Sequence, residues 1–405
     1  ACPHCSSKSG FTKEEDTLDG WFDSGSTHFA SMQKDQGFWP ATMYLEGLDQ
    51  YRGWFQSSLL TAVGAFGEGA PFKECVTHGW TVDGEGRAMH KSLGNGVDPA
   101  DIFNENGADI LRLWAASADY HADVRCSKAI FQQLSQNYLK FRNTCKFMLD
   151  NLVDFDPAHL TKAEDMPVLD RWLITKLNEL IEKVEQSYND YEFHIITHAV
   201  NDFCVTTLSS FYLDIVKDRL YCEAADSAER RSAQTALYLT LSTLAKLFAP
   251  ILAFTCDEIW LAMPHTAEDD ARNVVLNDMN KPFTAYALDA ETMARWEHII
   301  EVRTAVNGAL EEARAAKVIG KSLEADVHLT VPEGDVFLAD ENPAALADLF
   351  IVSKVELTVG GELAVKVENA AGTKCPRCWK HSLTPNAEGL CPRCAEVVRH
   401  LPDLL

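Results

Sequence analysis

The chain has 405 residues, 46% hydrophobic and 24% charged, an ordinary globular balance with length for roughly two to four domains. Its net charge of −24 excludes a general nucleic-acid coat, because a phosphate backbone needs a positive surface. No apolar run reaches the length of a membrane helix, and Ala1-Cys2-Pro3-His4 is not a signal peptide; a start without Met predicts a fragment or a processed product.

Residues 1–115 mix short apolar runs with glycine-rich turns at Gly64, Gly67, Gly69, Gly79, Gly84, Gly86, Gly94 and Gly96. That pattern predicts short strands alternating with helices, an α/β part. From about Asp119 the character changes. Val168, Leu169, Trp172, Leu173, Leu177, Leu180, Ile181 and Val184 recur at three- and four-residue intervals and predict an amphipathic helix, with Asp170 and Arg171 on its polar side. Similar periodicity over 129–149, 195–217 and 233–262 predicts more long helices, the last kinked or broken at Pro250. Long helices with short links make a bundle. Residues 295–317 read as a further helix. Residues 325–331, 355–359 and 363–368 then alternate as strands, so a small α+β piece follows. The stretch 266–286 has little periodicity and marks the boundary between bundle and tail.

Six of the 12 cysteines sit in Cys-x-x-Cys pairs, which is metal-site usage in a reducing compartment rather than a disulfide framework. Cys375-Pro-Arg-Cys378 and Cys391-Pro-Arg-Cys394 are identical turns separated by twelve residues. Each tight turn supplies two thiolates, and Zn²⁺ prefers four in a tetrahedron. Four thiolates leave no open position, so the metal is expected to be structural; the alternative is four reduced structural cysteines. Cys2-Pro-His-Cys5 has the same shape but no mate in the first hundred residues. Either its partner pair lies upstream in a longer chain or the pairing is chance.

Two stretches are locally basic. Residues 126–149 carry Lys128, Lys140, Arg142 and Lys146 without an acid, and the tail carries Lys374, Arg377, Lys380, Arg393 and Arg399 against Glu388, Glu396 and Asp403. Such patches on an acidic body suit one specific RNA, although solvated helix faces look the same.

The segment Asp83-Gly-Glu-Gly-Arg-Ala-Met-His-Lys-Ser-Leu-Gly-Asn95 brackets Arg87, Lys91 and Ser92 with glycines. A glycine-hinged loop with a lysine can close over a triphosphate and neutralise charge as pyrophosphate leaves. An exposed turn with a lysine reads the same by itself. Its surroundings carry a resemblance. Thr77-His-Gly-Trp-Thr-Val-Asp-Gly84 followed by Met89-His-Lys-Ser-Leu-Gly-Asn95 resembles the Lys-Met-Ser-Lys-Ser loop of class I aminoacyl-tRNA synthetases and its lead-in. Trp21-Phe-Asp-Ser-Gly25 is similar to a motif shared by the isoleucyl, valyl and leucyl enzymes. Tyr44-Leu-Glu-Gly-Leu-Asp-Gln-Tyr-Arg-Gly-Trp-Phe55 looks like the isoleucyl member, and Gly107-Ala-Asp-Ile-Leu-Arg-Leu-Trp114, Phe211-Tyr-Leu-Asp-Ile-Val-Lys-Asp218 and the final Cys-Pro-Arg-Cys-Trp match it in order. The resemblance, to the C-terminal part of the bacterial-type isoleucyl enzymes, covers essentially the whole chain.

It implies a multidomain, mostly α architecture. Residues 1–118 would be the second half of a Rossmann-type catalytic fold with its connector, and 119–265 a helical anticodon-binding bundle. Residues 266–370 would form a linker and α+β junction, and 371–405 a zinc knuckle. The implied activity is isoleucine–tRNA ligation, with isoleucine, ATP with Mg²⁺ and tRNA(Ile) as substrates, in a cytoplasmic monomer. Lys91 matches the second lysine of the signature loop, which contacts ATP phosphates, and Ser92 stands beside it in that catalytic loop. Glu46 matches the acid that binds the isoleucyl-adenylate through its ammonium group. Gly47, Asp49 and Gln50 match positions lining the adenylate, and Trp21 and Trp54 match walls of the side-chain pocket. A branched aliphatic needs flat apolar walls and its ammonium a carboxylate; core packing for the tryptophans and a solvated turn for Glu46 and Asp49 are the plain alternatives.

The sequence also departs from the family. Ala88 and His90 replace the loop's first lysine and first serine. No His-Ile-Gly-His-like motif and no inserted editing domain occurs in these residues, so they are expected neither to catalyse alone nor to edit. A catalytically silent tRNA-binding module with a structural zinc is the alternative function.

Overall fold

The computed structural model describes residues 1–401 except 66, 68 and 340–342. They form two compact units. Ala1–Asp98 groups with Ala118–Lys128, and Pro99–Ser117 groups with everything from Ala129 onward.

The first unit is α/β. It contains α1 (Gly20–Gly25), β1 (Ala41–Gly47), α2 (Trp54–Leu60), β2 (Phe72–His78) and β3 (Thr81–Val82). β1 and β2 run parallel, with Tyr44 opposite Cys75 and Glu46 opposite Thr77. Parallel neighbours need a crossover, and α2 provides it, making a βαβ unit. The core is small: Tyr44, Phe55, Ala62 and Val82 are buried, while Leu45, Leu60 and Val63 stay exposed. After the excursion through α3 (Pro99–Asn106) and α4 (Ala108–Ser117), the chain returns as β4 (Val124–Arg125), parallel to β3. Trp80 N donates to Asp123 Oδ1 at 2.8 Å and fixes that return.

The second unit is mostly helical, as the 3.6-residue periodicities predict. α5 (Lys128–Asp150), α6 (Val168–Asn189), α7 (Phe193–Asp202), a π-helical stretch (Phe203–Tyr212), α8 (Leu213–Cys222), α9 (Ala228–Phe248), α10 (Ala253–Ala262) and α11 (Ala290–Ala315) share one continuous core. The chain breaks around Pro250, between α9 and α10. Side chains of α4 close that break. Asp109 caps the start of α10 by accepting from Thr255 N and Oγ1 at 2.8 and 2.6 Å. Arg112 donates to the carbonyls of Ile251 and Pro250 at 2.9 and 2.6 Å. Each end of the break thus finds a polar partner, which buried backbone requires.

One helix reading needs correction. Asp170 is not on the polar side of α6: it is 0% exposed. Tyr212 Oη and Ser232 Oγ donate to it at 2.8 and 2.5 Å, and Arg219 Nη1 at 3.2 Å. The residue faces α8 and α9, where an ion pair with extra donors offsets the cost of burying charge. Burial first, then the Asp170 charge, pushes the Tyr212 hydroxyl well up, so it stays a donor. Arg171 is half-buried and donates to the carbonyls of Tyr286 and Ala287 at 3.1 and 2.8 Å.

Past α11, β5 (Ala325–Val331) alternates buried and half-buried residues along its whole length, the period of two read from the sequence. It is the centre strand, antiparallel to β7 (Ala364–Asn369) and parallel to β6 (Lys354–Val359) through the crossover helix α12 (Pro343–Phe350). The tail adds the β8 (Thr373–Lys374) and β9 (His381–Ser382) ribbon and α13 (Pro392–Arg399).

Candidate functional site

At the carboxyl ends of β1 and β2 the backbone turns sharply. In parallel α/β sheets this end is where ligands sit. Glu46 is exposed there, and Gly47 faces His78 across the pair. A Cβ on Gly47 would stand 2.7 Å from Asp49 Oδ1, so only glycine lets that carboxylate fold back over the strand end. Gln50 Oε1 accepts from Trp54 N at 2.9 Å, capping the start of α2, while its Nε2 donates to Asp49 Oδ2 at 3.3 Å. The Trp54 ring packs against Tyr44, tilted by 35° with centroids 4.5 Å apart, and its Nε1 donates to Ser24 O at 3.0 Å. That bond holds α1 against α2. The helices touch so closely that a Cβ on Gly25 would meet Ser57 Cβ at 2.6 Å, which gives the glycine of Trp21-Phe-Asp-Ser-Gly25 its reason. Trp21 itself is 50% exposed. The structure therefore brings Glu46, Gly47, Asp49, Gln50 and Trp54 into one turn and sets Trp21 on the helix clipped to it. His78, the last residue of β2, stands in the Thr77–Gly84 stretch of the resemblance but carries no site role there.

The segment after β3 is a closed loop. Asp83 Oδ1 accepts from Glu85 N and Arg87 N at 3.0 and 2.9 Å, and its Oδ2 from Arg87 Nε and Asn95 Nδ2 at 2.9 and 2.9 Å. The hydrogen bond from Asn95, then those from Arg87, hold the Asp83 carboxyl well below the usual range. Asn95 also accepts from His90 N at 3.0 Å and donates to Ala88 O at 3.1 Å. Lys91 and Ser92 follow in a short 3₁₀ turn, Lys91–Leu93. The Lys91 side chain lies outside the described residues.

The four tail cysteines converge. Their sulfurs lie within 4.8 Å of one another, and Cys378 and Cys391 are 3.7 Å apart. Thiolates around a tetrahedral zinc, with Zn–S about 2.3 Å, stand about 3.8 Å apart, so the set fits that ion. The second pair opens a helix, with Cys391 as N-cap of α13 and Pro392 in its first turn. Burial would raise the Cys375 thiol, but backbone amides of Cys378, Cys391 and Arg377 outweigh it and bring the thiol down to about 6, whereas burial pushes Cys378 and Cys394 up, so an ion binding here would have to displace their protons. Cys2 and Cys5 share a tight turn near the N-terminus, and among the described residues no other cluster of potential ligands forms around them.

The tail's cations are not a free basic patch. Arg393 donates to Asp218 and Glu223 at 2.9 and 2.8 Å, and Arg377 to the carbonyls of Tyr221 and Cys222. Lys380 pairs with Asp348, Lys374 with Glu324 and Arg399 with Glu396. The arginines inside the two Cys-Pro-Arg-Cys turns thus fasten the knuckle to the end of α8. On α5, Lys146 pairs with Asp150, whereas Lys140 and Arg142 are exposed. Lys140 borders an open groove of about 400 Å³ whose rim adds Asn143, Ser209, Ser210 and Lys217.

Comparison with known proteins bears on the family of the chain. Residues 4–127 match the family model for tRNA synthetases class I (I, L, M and V), and residues 170–329 match the anticodon-binding domain of tRNA ligase. The isoleucine–tRNA ligase of Moorella thermoacetica is 47% identical over 426 residues, covering 99% of this chain and 45% of that protein. That of Desulforamulus reducens is 48% identical over 421 residues, covering 98% and 45%. The chain therefore spans under half the length of the curated relatives it matches. A LeuRS–tRNA–LeuAMS ternary complex from Agrobacterium radiobacter K84 shares the fold over 82% of this chain and 37% of that one, with TM-score 0.54 at 17% identity. With catalytic and anticodon domain models both matched in order, and isoleucine–tRNA ligases aligned along nearly its whole length, the chain belongs to the class I tRNA synthetases, in the isoleucyl group.

Proposed function

We propose that this chain forms part of an isoleucine–tRNA ligase, with isoleucine, ATP and tRNA(Ile) as substrates. The observation that carries the reading is the single turn at the ends of parallel strands that gathers Glu46, Gly47, Asp49, Gln50 and Trp54, in a chain aligned over 99% of its length to enzymes of that name. In the reaction, the isoleucine carboxylate attacks the α-phosphate of ATP, pyrophosphate leaves, and the terminal ribose of the tRNA then takes the acyl group. No protein nucleophile is needed, so positioning and charge stabilisation do the catalysis. The Glu46 carboxylate would hold the ammonium group, Trp21 and Trp54 the branched side chain, and Gly47, Asp49 and Gln50 the adenylate. Lys91 and Ser92 would act on the phosphates, with Mg²⁺ screening their charge. His90 and Ala88 leave the lid one fixed positive charge short.

The four-part layout with boundaries at 118, 265 and 370 is part of the same proposal, with Pro99–Ser117 as the connector packed on the bundle. So are a structural Zn²⁺ on Cys375, Cys378, Cys391 and Cys394, and a cytoplasmic, monomeric protein. Among the described residues no helix is long and apolar enough to cross a membrane. The exposed Leu45, Leu60 and Val63 support a catalytic fold that is larger than the described two-stranded pair.

The test is isoleucine-dependent ATP–pyrophosphate exchange by a full-length enzyme carrying this sequence. Exchange is expected there, and none from these 405 residues alone. A full-length enzyme without exchange that still binds tRNA would support the silent binding module instead. For the RNA face, Lys140→Glu with Arg142→Glu is expected to weaken tRNA binding and flatten its salt dependence by about one unit of log–log slope for each phosphate left unneutralised. Unchanged binding would make α5 an ordinary solvated face.

A further inference from the structure

We propose that Asp83 and Asn95 are positioning residues that lock the signature loop into one shape through backbone atoms, so that the substituted positions 88 and 90 leave the frame intact. The inference rests on the ligase reading for its consequence and on geometry for its content.

A carboxylate offers about four lone-pair sites, and Asp83 fills them with two backbone amides, one guanidinium and one side-chain amide. It is 6% exposed, at the end of β3, whose Val82 also bridges to Ala88 across the turn. Asn95 is the second post. Its amide nitrogen spans Asp83 Oδ2 and Ala88 O, and its oxygen takes His90 N. The pair therefore ties the strand end, the start of the loop and the residue just before Lys91 to a single point. Ala88 contributes its carbonyl and His90 its amide. Neither side chain takes part, so replacing a lysine at 88 and a serine at 90 removes no bond of this frame. A loop that must present groups to a phosphate chain with sub-ångström accuracy needs such a support, because a small misplacement in positioning catalysis costs rate directly.

The test is a swap of donor and acceptor in the full-length enzyme. Asn95→Asp sets a carboxylate against Asp83 Oδ2, and like charges at hydrogen-bond distance repel. Its kcat for pyrophosphate exchange should fall roughly ten- to a hundredfold, the effect of removing one charge-assisted hydrogen bond, while KM for isoleucine stays unchanged. Amide hydrogen exchange at Arg87 and His90 should accelerate, with the β1–β2 amides unaffected. Asp83→Asn combined with Asn95→Asp returns an amide donor facing a carboxylate, and exposed Arg87 can swing away from the new amide. This double variant should recover the part of the rate lost to repulsion between the two carboxylates but not the rest, because a carboxylate at position 95 cannot donate to Ala88 O. Should Asn95→Asp fail to fold, Asn95→Ala removes the bridge without adding charge, and the same amide and kcat readouts apply. Wild-type kcat in Asn95→Asp or Asn95→Ala, or a double variant as slow as the single one with Arg87 and His90 still unprotected, overturns the positioning role. An inactive full-length wild type overturns the ligase reading, and with it the loop's consequence, even where the amide pattern holds.

Discussion

Replacing Cys394 with alanine is expected to take the bound zinc from one ion per chain to none and to unfold the tail from about residue 371, while the helical unit keeps its structure. The knuckle has little else to fold around. Its apolar cluster consists of the cysteines with Leu390, Cys222 and Ala395, separate from the large core of the bundle. Structural zinc sites in small modules contribute about 10–16 kcal/mol of apparent binding free energy at neutral pH, far more than so few apolar side chains can supply. Elemental analysis gives the metal content, and limited proteolysis gives the state of the tail. A chelator acting on the wild type should reproduce the proteolysis pattern. Wild-type zinc in the Cys394→Ala protein, or a protease-resistant tail after metal removal, would refute the assignment. The anchoring arginines add a second signature: with Arg393 no longer placed by α13, Asp218 and Glu223 lose their common partner.

The second large effect belongs to Asp170. Asp170→Ala removes the acceptor shared by Tyr212, Ser232 and Arg219 and leaves a largely buried guanidinium without its carboxylate. Breaking a buried pair from one side costs about 3–5 kcal/mol, so the helical unit should unfold at clearly lower urea concentration with unchanged m-value. Asp170→Asn keeps an oxygen for Tyr212 and should cost less. A loss below about 1 kcal/mol for the alanine variant, the size of an ordinary surface substitution, would show that the network is not a structural keystone.

How much of this was legible beforehand depends on the range of the interaction concerned. The helices of the bundle, the break near Pro250 and the alternation of β5 are local patterns, fixed by apolar residues three or four apart, by one imino acid, or by a period of two. The four zinc-binding candidates were readable because two tight turns carry them, and each turn dictates its own geometry. Glu46, Gly47, Asp49, Gln50 and Trp54 were named through the resemblance of the Tyr44–Phe55 stretch alone, and their lying within nine consecutive residues is why they share one turn.

What only the tertiary structure decided involves partners distant in the chain. A charged residue at an ambiguous helix position looks solvated until α8 and α9 arrive to bury it, as happens to Asp170. Lysines and arginines of the tail look like a basic patch until Asp218, Glu223, Asp348 and Glu324 are found beside them. Composition draws the α/β part through to residue 115, whereas Asp109 and Arg112 bind α4 to the break between α9 and α10. Periodicity along a chain records which face of an element is apolar. Which polar group finds its counter-charge is set by elements that meet across 32 to 175 residues of sequence, and no local pattern encodes that meeting.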